Sequence, residues 1–426
     1  MKILIINLHS SSNAGDAALA AVSVEQLKTE FPESTVTLSM NDPASHIGVE
    51  PVVSSFFVWL KESRWYWLTM PQLLLTSLVA VLTYRLFNKP IFLPVSRCHE
   101  NLLRAYFDSD IVVSCPGNIL QTLGRFGLPL LMSVYAMVYA WLAGKPLYML
   151  PQSVGPLKRS WERGLVRWIL SKFRIVMVRE LVSYNELIKM KVDMKHCYLM
   201  PDMAFIFSAA SKEMAIEFLQ KIGLNCETTR PLLGVTLINW GAQNRNFHKQ
   251  VEYEMVISTV LQTFIEQYHG YVIIFSQVLG PTPDQDDRVP ARRVLAQLSK
   301  FGDHIKVVEE TVTPQLLKSI YGMMDIFIGT RMHSNIFALG EGVPVLAIGY
   351  LYKTQGIMDM LQLSEWVLDI NQLTVENLIS KLESIWTQRE AIKTKIFQIN
   401  TTIVEQLDQP IKLIAIDFRS LQRNIK

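Results

Sequence analysis

Between Asp325 and Lys353 the chain reads DIFIGTRMHSNIFALGEGVPVLAIGYLYK, an apolar run that ends in Gly-Thr-Arg-Met-His-Ser and passes at once into a helical pattern. Thr330, Arg331, His333 and Ser334 thus gather a guanidinium, an imidazole and two hydroxyls beside the apolar helix face Ile336, Phe337 and Leu339. So many polar groups at the edge of a core are costly without a partner or ligand. In open α/β sheets, ligands bind outside the carboxyl ends of the strands, where the first amides of the next helix favour an anion. Arginine can grip a carboxylate or phosphate through two parallel hydrogen bonds, and histidine can move a proton near neutral pH. Arg331, His333 and Ser334 are therefore candidate site residues. Lys353 lies past the next apolar run, Val345 to Ile348, and close to Gly356; it either projects toward the same site or is a solvated lysine.

Other junctions of strand and loop carry similar chemistry. In the loop Ser10 to Asp16, Gly15 allows a tight turn and close backbone approach, while Asp16 is placed to cap the next helix. With Asn13 they form either a plain βα turn or a substrate loop, since G-x-G-x-x-G is not matched. Ser114 to Asn118, SCPGN, bends sharply at Pro116 and Gly117, so Gly117 and Asn118 serve either turning or a ligand. Gln152 and Ser153 in PQSVGP offer neutral donors to a phosphate or sugar. Arg179 directly follows an apolar run, as an anion clamp or as the partner of Glu180, Glu186 or Asp202. Asp202 either orients Arg179 or caps a turn.

The elements that must position these residues are short apolar runs alternating with helical patterns, the signature of parallel sheets with crossover helices. Strands are expected at Ile3 to Asn7, Thr35 to Ser39, Ile111 to Ser114, Pro146 to Met149, Ile175 to Val178 and Tyr198 to Met200. After a polar stretch around Cys226 to Arg230 the pattern restarts at Leu233 to Leu237, Tyr271 to Ser276, Ile305 to Val308, Ile326 to Ile328 and Val345 to Ile348. Two α/β halves meeting at a cleft are implied, with the boundary between Phe207 and Pro231. From Val375 onward the chain reads as helices that return to brace the first half.

A length of 426 residues with 50% hydrophobic content supports a large core and two domains. The 41 basic and 38 acidic residues form no long run of one sign, which argues against nucleic-acid binding. Cys98, Cys115, Cys197 and Cys226 show no C-x-x-C spacing, so neither a zinc ribbon nor a disulfide framework is expected, and a reducing cytoplasm fits. Trp65 to Phe87 and Leu128 to Leu150 approach membrane-spanning length. Pro71, Gln72, Thr76, Ser77 and Thr83 interrupt the first, and Gly144, Lys145 and Pro146 break the second. Buried or interfacial helices are expected, and the first, flanked by Lys61, Arg64, Arg85 and Lys89, is the better candidate for peripheral membrane contact.

Taken in order, Asn13-Ala14-Gly15-Asp16-Ala17, Gln152-Ser153-Val154-Gly155-Pro156, Arg179-Glu180 with Ser183, Pro201-Asp202, Gly329-Thr330-Arg331-Met332-His333-Ser334, and Tyr350 with Lys353 and Gly356 resemble the polysaccharide pyruvyl transferase family. The motifs spread over residues 1 to 360; Cys115-Pro116-Gly117 stands where a glycine-rich triplet is usual. The resemblance implies an α/β fold of the glycosyltransferase-B type, with two Rossmann-like domains facing across a cleft. An acceptor-side domain would span 1–215, with a helical insert near 56–92, a donor-side domain 216–385 and a helical segment 386–426. It implies transfer of pyruvate from phosphoenolpyruvate, as co-substrate, to two hydroxyls of a sugar in a surface polysaccharide or its free or lipid-linked precursor. His333 would be the acid that protonates the donor, with Arg179, Lys353 and Ser334 holding its anionic groups and Arg331 a further clamp or a structural brace. Asn13, Gly15, Asp16, Gly117, Asn118, Gln152 and Ser153 would belong to substrate loops, and Asp202 would orient Arg179. Assembly of Arg179 with His333 and Lys353 would need domain closure. No metal or nucleotide cofactor is needed by this chemistry. A glycosyltransferase using a nucleotide sugar, and a non-catalytic carbohydrate-binding or assembly protein, are the competing readings.

Overall fold

A computed structural model describes residues 1–62, 66–122, 124, 127–224, 231–280 and 282–425. Arg64, Trp65, Cys226 and the polar stretch to Arg230 lie outside the described residues. The chain divides into two compact units. The first comprises Met1–Ser11, Leu19–Met203 and Gln406–Lys426; the second comprises Ser12–Ala18 and Ala204–Glu405.

The first unit holds an all-parallel sheet of β1 (Lys2–Leu8), β2 (Thr35–Met40), β3 (Val52–Ser54), β4 (Ile111–Ser114), β5 (Gly117–Leu120), β6 (Leu147–Val154), β7 (Ile175–Val178) and β8 (Cys197–Leu199). Its order is β3-β2-β1-β4-β6-β7-β8, with β5 paired to β6. Strands buried on both faces read as unbroken apolar runs, and Ile3, Leu4, Ile5 and Ile6 of β1 are all buried. The order reverses between β1 and β4. That switch point is where a crevice opens at the carboxyl ends of the strands.

The second unit repeats the plan with β9 (Leu232–Thr236), β10 (Tyr271–Phe275), β11 (Ile305–Val308), β12 (Ile326–Gly329), β13 (Val345–Gly349) and β14 (Val367–Asp369), in the order β11-β10-β9-β12-β13-β14. Its switch point lies between β9 and β12, whose ends are in register with Gly329 opposite Thr236. Both sheets therefore have the doubly wound, Rossmann-like arrangement.

Three short strands, β3, β5 and β14, were not expected, and β6 runs further than expected. The pairing of β6 with β7 shifts register between Met149 and Gln152, a bulge that lets Pro151 sit inside a strand and carries it on to Val154. The chain closes with helices Val375–Leu407 and Gln409–Ile425. In the second unit, Asn400 donates to the Leu339 carbonyl at 2.8 Å. In the first, Asp417 accepts from Arg174 Nη2 at 2.8 Å and from the Tyr148 hydroxyl at 2.8 Å, tying the last helix to β6 and the residue before β7.

Candidate active site

At the switch point of the second unit, β12 ends at Gly329, where a Cβ would lie 1.7 Å from Asn335 Oδ1. Glycine is needed because the helix Met332–Gly340 folds back on its own strand, with Asn335 Nδ2 donating to the Gly329 carbonyl at 3.1 Å. Arg331 is the N-cap, with extended backbone and no side-chain cap bond, so the helix meets the crevice with its positive end.

The Arg331 guanidinium is committed inward. Its Nε lies 3.1 and 3.2 Å from the two Asp287 carboxylate oxygens, and its Nη2 lies 2.5 Å from Oδ1. Burial alone would lower its pKa, but the carboxylate of Asp287 and the hydroxyl of Tyr350 outweigh that and hold it above the ordinary arginine value. Asp287 in turn accepts from the Val278 amide at 2.9 Å, which fixes the loop after β10. Arg331 is thus a brace between β10 and β12. Ser334 is also internal, donating to the Arg331 carbonyl at 2.6 Å and lying 2.7 Å from the Thr236 hydroxyl. The Ser334 hydroxyl, expected at the donor, here stitches β9 to the helix start.

His333, the second residue of the same helix, meets a segment from near the start of the chain. Ser12–Ala18 packs in the second unit: Ala14 N donates to the Gln277 carbonyl at 3.1 Å, Leu279 N to the Ser12 carbonyl at 3.0 Å, and Asn13 bridges Val278. This lays the start of helix Ala14–Glu30 on His333, where a Cβ on Gly15 would fall 2.1 Å from Nδ1 and 2.4 Å from Cγ. Gly15 is therefore required for space beside the imidazole; it is helical and makes no turn. Asp16 does not cap the helix. Asn13 does, accepting from the Gly15 amide at 3.0 Å and donating to Asp16 at 2.9 Å.

Lys353 is the second residue of helix Tyr352–Met360, which follows β13, the strand next to β12. Tyr350 precedes it, its ring packed 4.6 Å from that of Trp240 beyond β9. The segments that follow β9, β10, β12 and β13 thus carry Trp240, Asp287, Arg331 with His333, and Lys353. Asp287, Gln277 and Trp240 were missed in the sequence. Nothing in the loop Asp284 to Arg288 marks which carboxylate folds back under a strand end 44 positions later.

In the first unit, Arg179 is 1% exposed. Its Nη1 lies 2.6 Å from Asp202 and its Nε 2.9 Å from the Ser153 hydroxyl, with Glu180 at 3.6 Å. Of the two readings of Arg179, this geometry is the buried ion pair, with Asp202 as its partner. Gln152 and Ser153 lie inside β6 and are fully buried; Ser153 donates to Glu180 at 3.0 Å and Gln152 Nε2 approaches Ser114 Oγ at 3.4 Å. Neither is a loop donor. Gly117, at φ 144°, begins β5 in a conformation that favours glycine.

Asn118 is different. It lines a cavity of about 220 Å³ at the switch point of this unit, together with Asn7, His9, Asn41, Phe56 and Ser133. Both Asn118 amide atoms are withdrawn from solvent with no hydrogen-bond partner, a costly state that a ligand's hydroxyls would relieve. Asn7 lies at φ 66°, a strained position for a non-glycine residue and one that recurs at functional sites. His9 Nδ1 is 3.3 Å from Asn41 Nδ2, and Asn41 Oδ1 accepts from Ser55 at 2.6 Å. Amides and a hydroxyl beside a phenyl ring suit a small polyol, and the volume has room for one ring.

Residues 13–352 match the model of the family described as polysaccharide pyruvyl transferase. The amylovoran biosynthesis protein AmsJ of Erwinia amylovora is 26% identical over 430 residues, covering 93% of this chain and 94% of its own. Among solved structures, the fold is similar to MnaA of S. aureus with UDP (TM-score 0.58, 11% identity, 97% and 98% of the two chains). It is also similar to sucrose-phosphate synthase of Thermosynechococcus elongatus (TM-score 0.55, 13% identity, 100% and 99%). At such identities these likenesses carry the fold alone, which is the glycosyltransferase-B type with two Rossmann-like domains.

Proposed function

The chain belongs to the polysaccharide pyruvyl transferase family, and from that premise we propose that it moves pyruvate from phosphoenolpyruvate to a sugar of a surface polysaccharide or its precursor, closing a cyclic ketal. The observation that carries this reading is the imidazole of His333, held against the Cα of Gly15 where the second sheet reverses its order.

The reaction balances as follows. A proton is added to the methylene carbon of phosphoenolpyruvate, which leaves C2 cationic. One sugar hydroxyl adds to C2, a second displaces phosphate, and the methyl ketal results. Of the two hydroxyl protons released, one replaces the proton donated to carbon and the other leaves with phosphate. His333 is the acid in the first step and is recharged in the second, a role that suits imidazole near neutral pH. The uncapped start of helix Met332–Gly340 and Lys353 supply positive potential for phosphate and carboxylate. Arg331 and Arg179 act at one remove, by holding strand ends in place through Asp287 and Asp202.

The cavity beside Asn118 is the acceptor subsite in this reading, its amides turned to the hydroxyls of one sugar ring. The link to polysaccharide assembly is supported by AmsJ, whose name places that relative in amylovoran biosynthesis. Incubation with phosphoenolpyruvate and a pool of cell-envelope glycan precursors tests the reading. Phosphate release matched by a pyruvyl-ketal mass increment is expected; transfer from nucleotide sugars, with phosphoenolpyruvate inert, would overturn it.

A further inference from the structure

The helix Tyr66–Phe87 is apolar on its outward face as well as its inward one. Its inward face buries Leu73, Thr76, Ser77, Ala80 and Val81, with Ser77 hydrogen-bonded to the Leu73 carbonyl at 2.6 Å and to the Tyr135 hydroxyl. Its outward face carries Leu75, Leu78, Leu82 and Leu86 at helical spacing, 49 to 73% exposed. A seated helix that also shows a row of leucines outward lacks the polar outer face usual for a surface helix. Among the described residues this helix is long and apolar enough to cross a membrane, and one of its faces is seated on the first unit.

The exposed stripe does not end with the helix. Arg85 at its carboxyl end lies over Gly144, where a Cβ would meet the guanidinium at 2.2 Å, and so reaches the end of helix Leu128–Leu142. There Trp141 stands exposed, edge-on to Trp168 with ring centroids 5.7 Å apart. Lys172 Nζ sits 5.2 and 5.7 Å from these two rings. Leucines bordered by tryptophan and by arginine or lysine are the composition of a surface lying at the boundary of headgroups and acyl chains. Helices Tyr66–Phe87 and Leu128–Leu142 contain no carboxylate, so the charge offered is of one sign and complements anionic lipid. A symmetric pair of chains joined through this face would gather the Arg85 and Lys172 charges of both copies in one interface whose two helices Tyr66–Phe87 and Leu128–Leu142 offer no carboxylate, which disfavours a second copy as the cover.

We propose that the face of Leu75, Leu78, Leu82, Leu86, Trp141 and Trp168 seats this chain on an anionic bilayer surface. The inference is independent of the reaction proposed above, since it rests on none of the site residues. Flotation of the full chain with vesicles tests it, using phosphatidylethanolamine with phosphatidylglycerol against phosphatidylcholine alone. The chain is expected to float with the anionic vesicles and several-fold less with neutral ones or in high salt. A Leu78→Gln, Leu82→Gln double variant should lose at least tenfold in vesicle affinity while keeping the circular dichroism spectrum and melting temperature of the parent. A Trp141→Ala variant, which leaves helix Tyr66–Phe87 untouched, should weaken binding in the same direction. Equal flotation of parent and variants, or none with any vesicle, overturns the proposal. So does a doubled solution mass that the leucine variant halves, which would make this face a dimer contact.

Discussion

The Cα of Gly15 lies against the imidazole of His333 so closely that a single methyl group would fall 2.1 Å from Nδ1. The contact joins the motif at Asn13 to Ala17 with the motif at Gly329 to Ser334, across more than three hundred residues of chain.

Gly15→Ala separates this steric role from any other. Alanine is the better helix former by roughly 1 kcal/mol, so the helix itself does not suffer. The imidazole must move, and a displacement of about 1 Å at a reacting group costs on the order of 100-fold in rate. Steady-state kinetics should show a loss of that size in kcat, with thermal stability close to the parent. An unchanged kcat would mean that the ring's position is not critical.

Arg331→Met should act on stability more than on any ligand. It leaves Asp287 buried without its cation, a defect worth about 3–5 kcal/mol. Urea unfolding should reveal it as a lowered midpoint, and Arg331→Met with Asp287→Leu should recover part of the loss. No recovery would mean that the pair does more than brace β12.

Asn118→Ala removes the unpartnered amide from the cavity of the first unit. If that cavity takes the acceptor, the KM for acceptor should rise about tenfold, equivalent to one lost hydrogen bond. The KM for phosphoenolpyruvate should stay put. A rise in both would place Asn118 in the framework of the unit.

Asp417 gives the first unit an acid-sensitive fastening. Burial would raise its pKa, but hydrogen bonds from Arg174 and Tyr148 outweigh burial and hold it below the ordinary carboxylate value. A depressed carboxylate contributes stability above its unfolded pKa of about 3.9, and that contribution fades as pH falls through the lower folded value. Melting curves taken downward from pH 6 should therefore fall more gently in Asp417→Asn than in the parent. Parallel curves would show that the contact is not coupled to folding.

The sheets were legible because strands buried on both faces leave unbroken apolar runs, and β1, β4, β7 and β11 begin or end within a residue of expectation. What sequence could not show was direction. Arg179 and Arg331 each follow a strand and each reads as an anion clamp or as a structural partner, and Asp202 and Asp287 take them up from distant loops. The same sequence is compatible with a ligand or with a carboxylate, and only the return path of the chain decides. Gln152 and Ser153 were read as loop residues because Pro151 usually ends a strand, and the bulge that carries β6 past it leaves no local signature. The excursion of Ser12–Ala18 into the second unit was equally hidden, although it is what brings Gly15 to His333. Asn118 was visible as part of a bend, but its unpartnered amide was not.

The most direct measurement is turnover of phosphoenolpyruvate by His333→Gln in deuterated water, with the methyl group of the product read by mass spectrometry. The parent should form a ketal carrying solvent deuterium. The variant should lose 100- to 10,000-fold in kcat, the usual contribution of a positioned acid, while keeping its melting temperature and its affinity for phosphoenolpyruvate. A variant that turns over within a few-fold of the parent would contradict the account, because the proton would then come from another group.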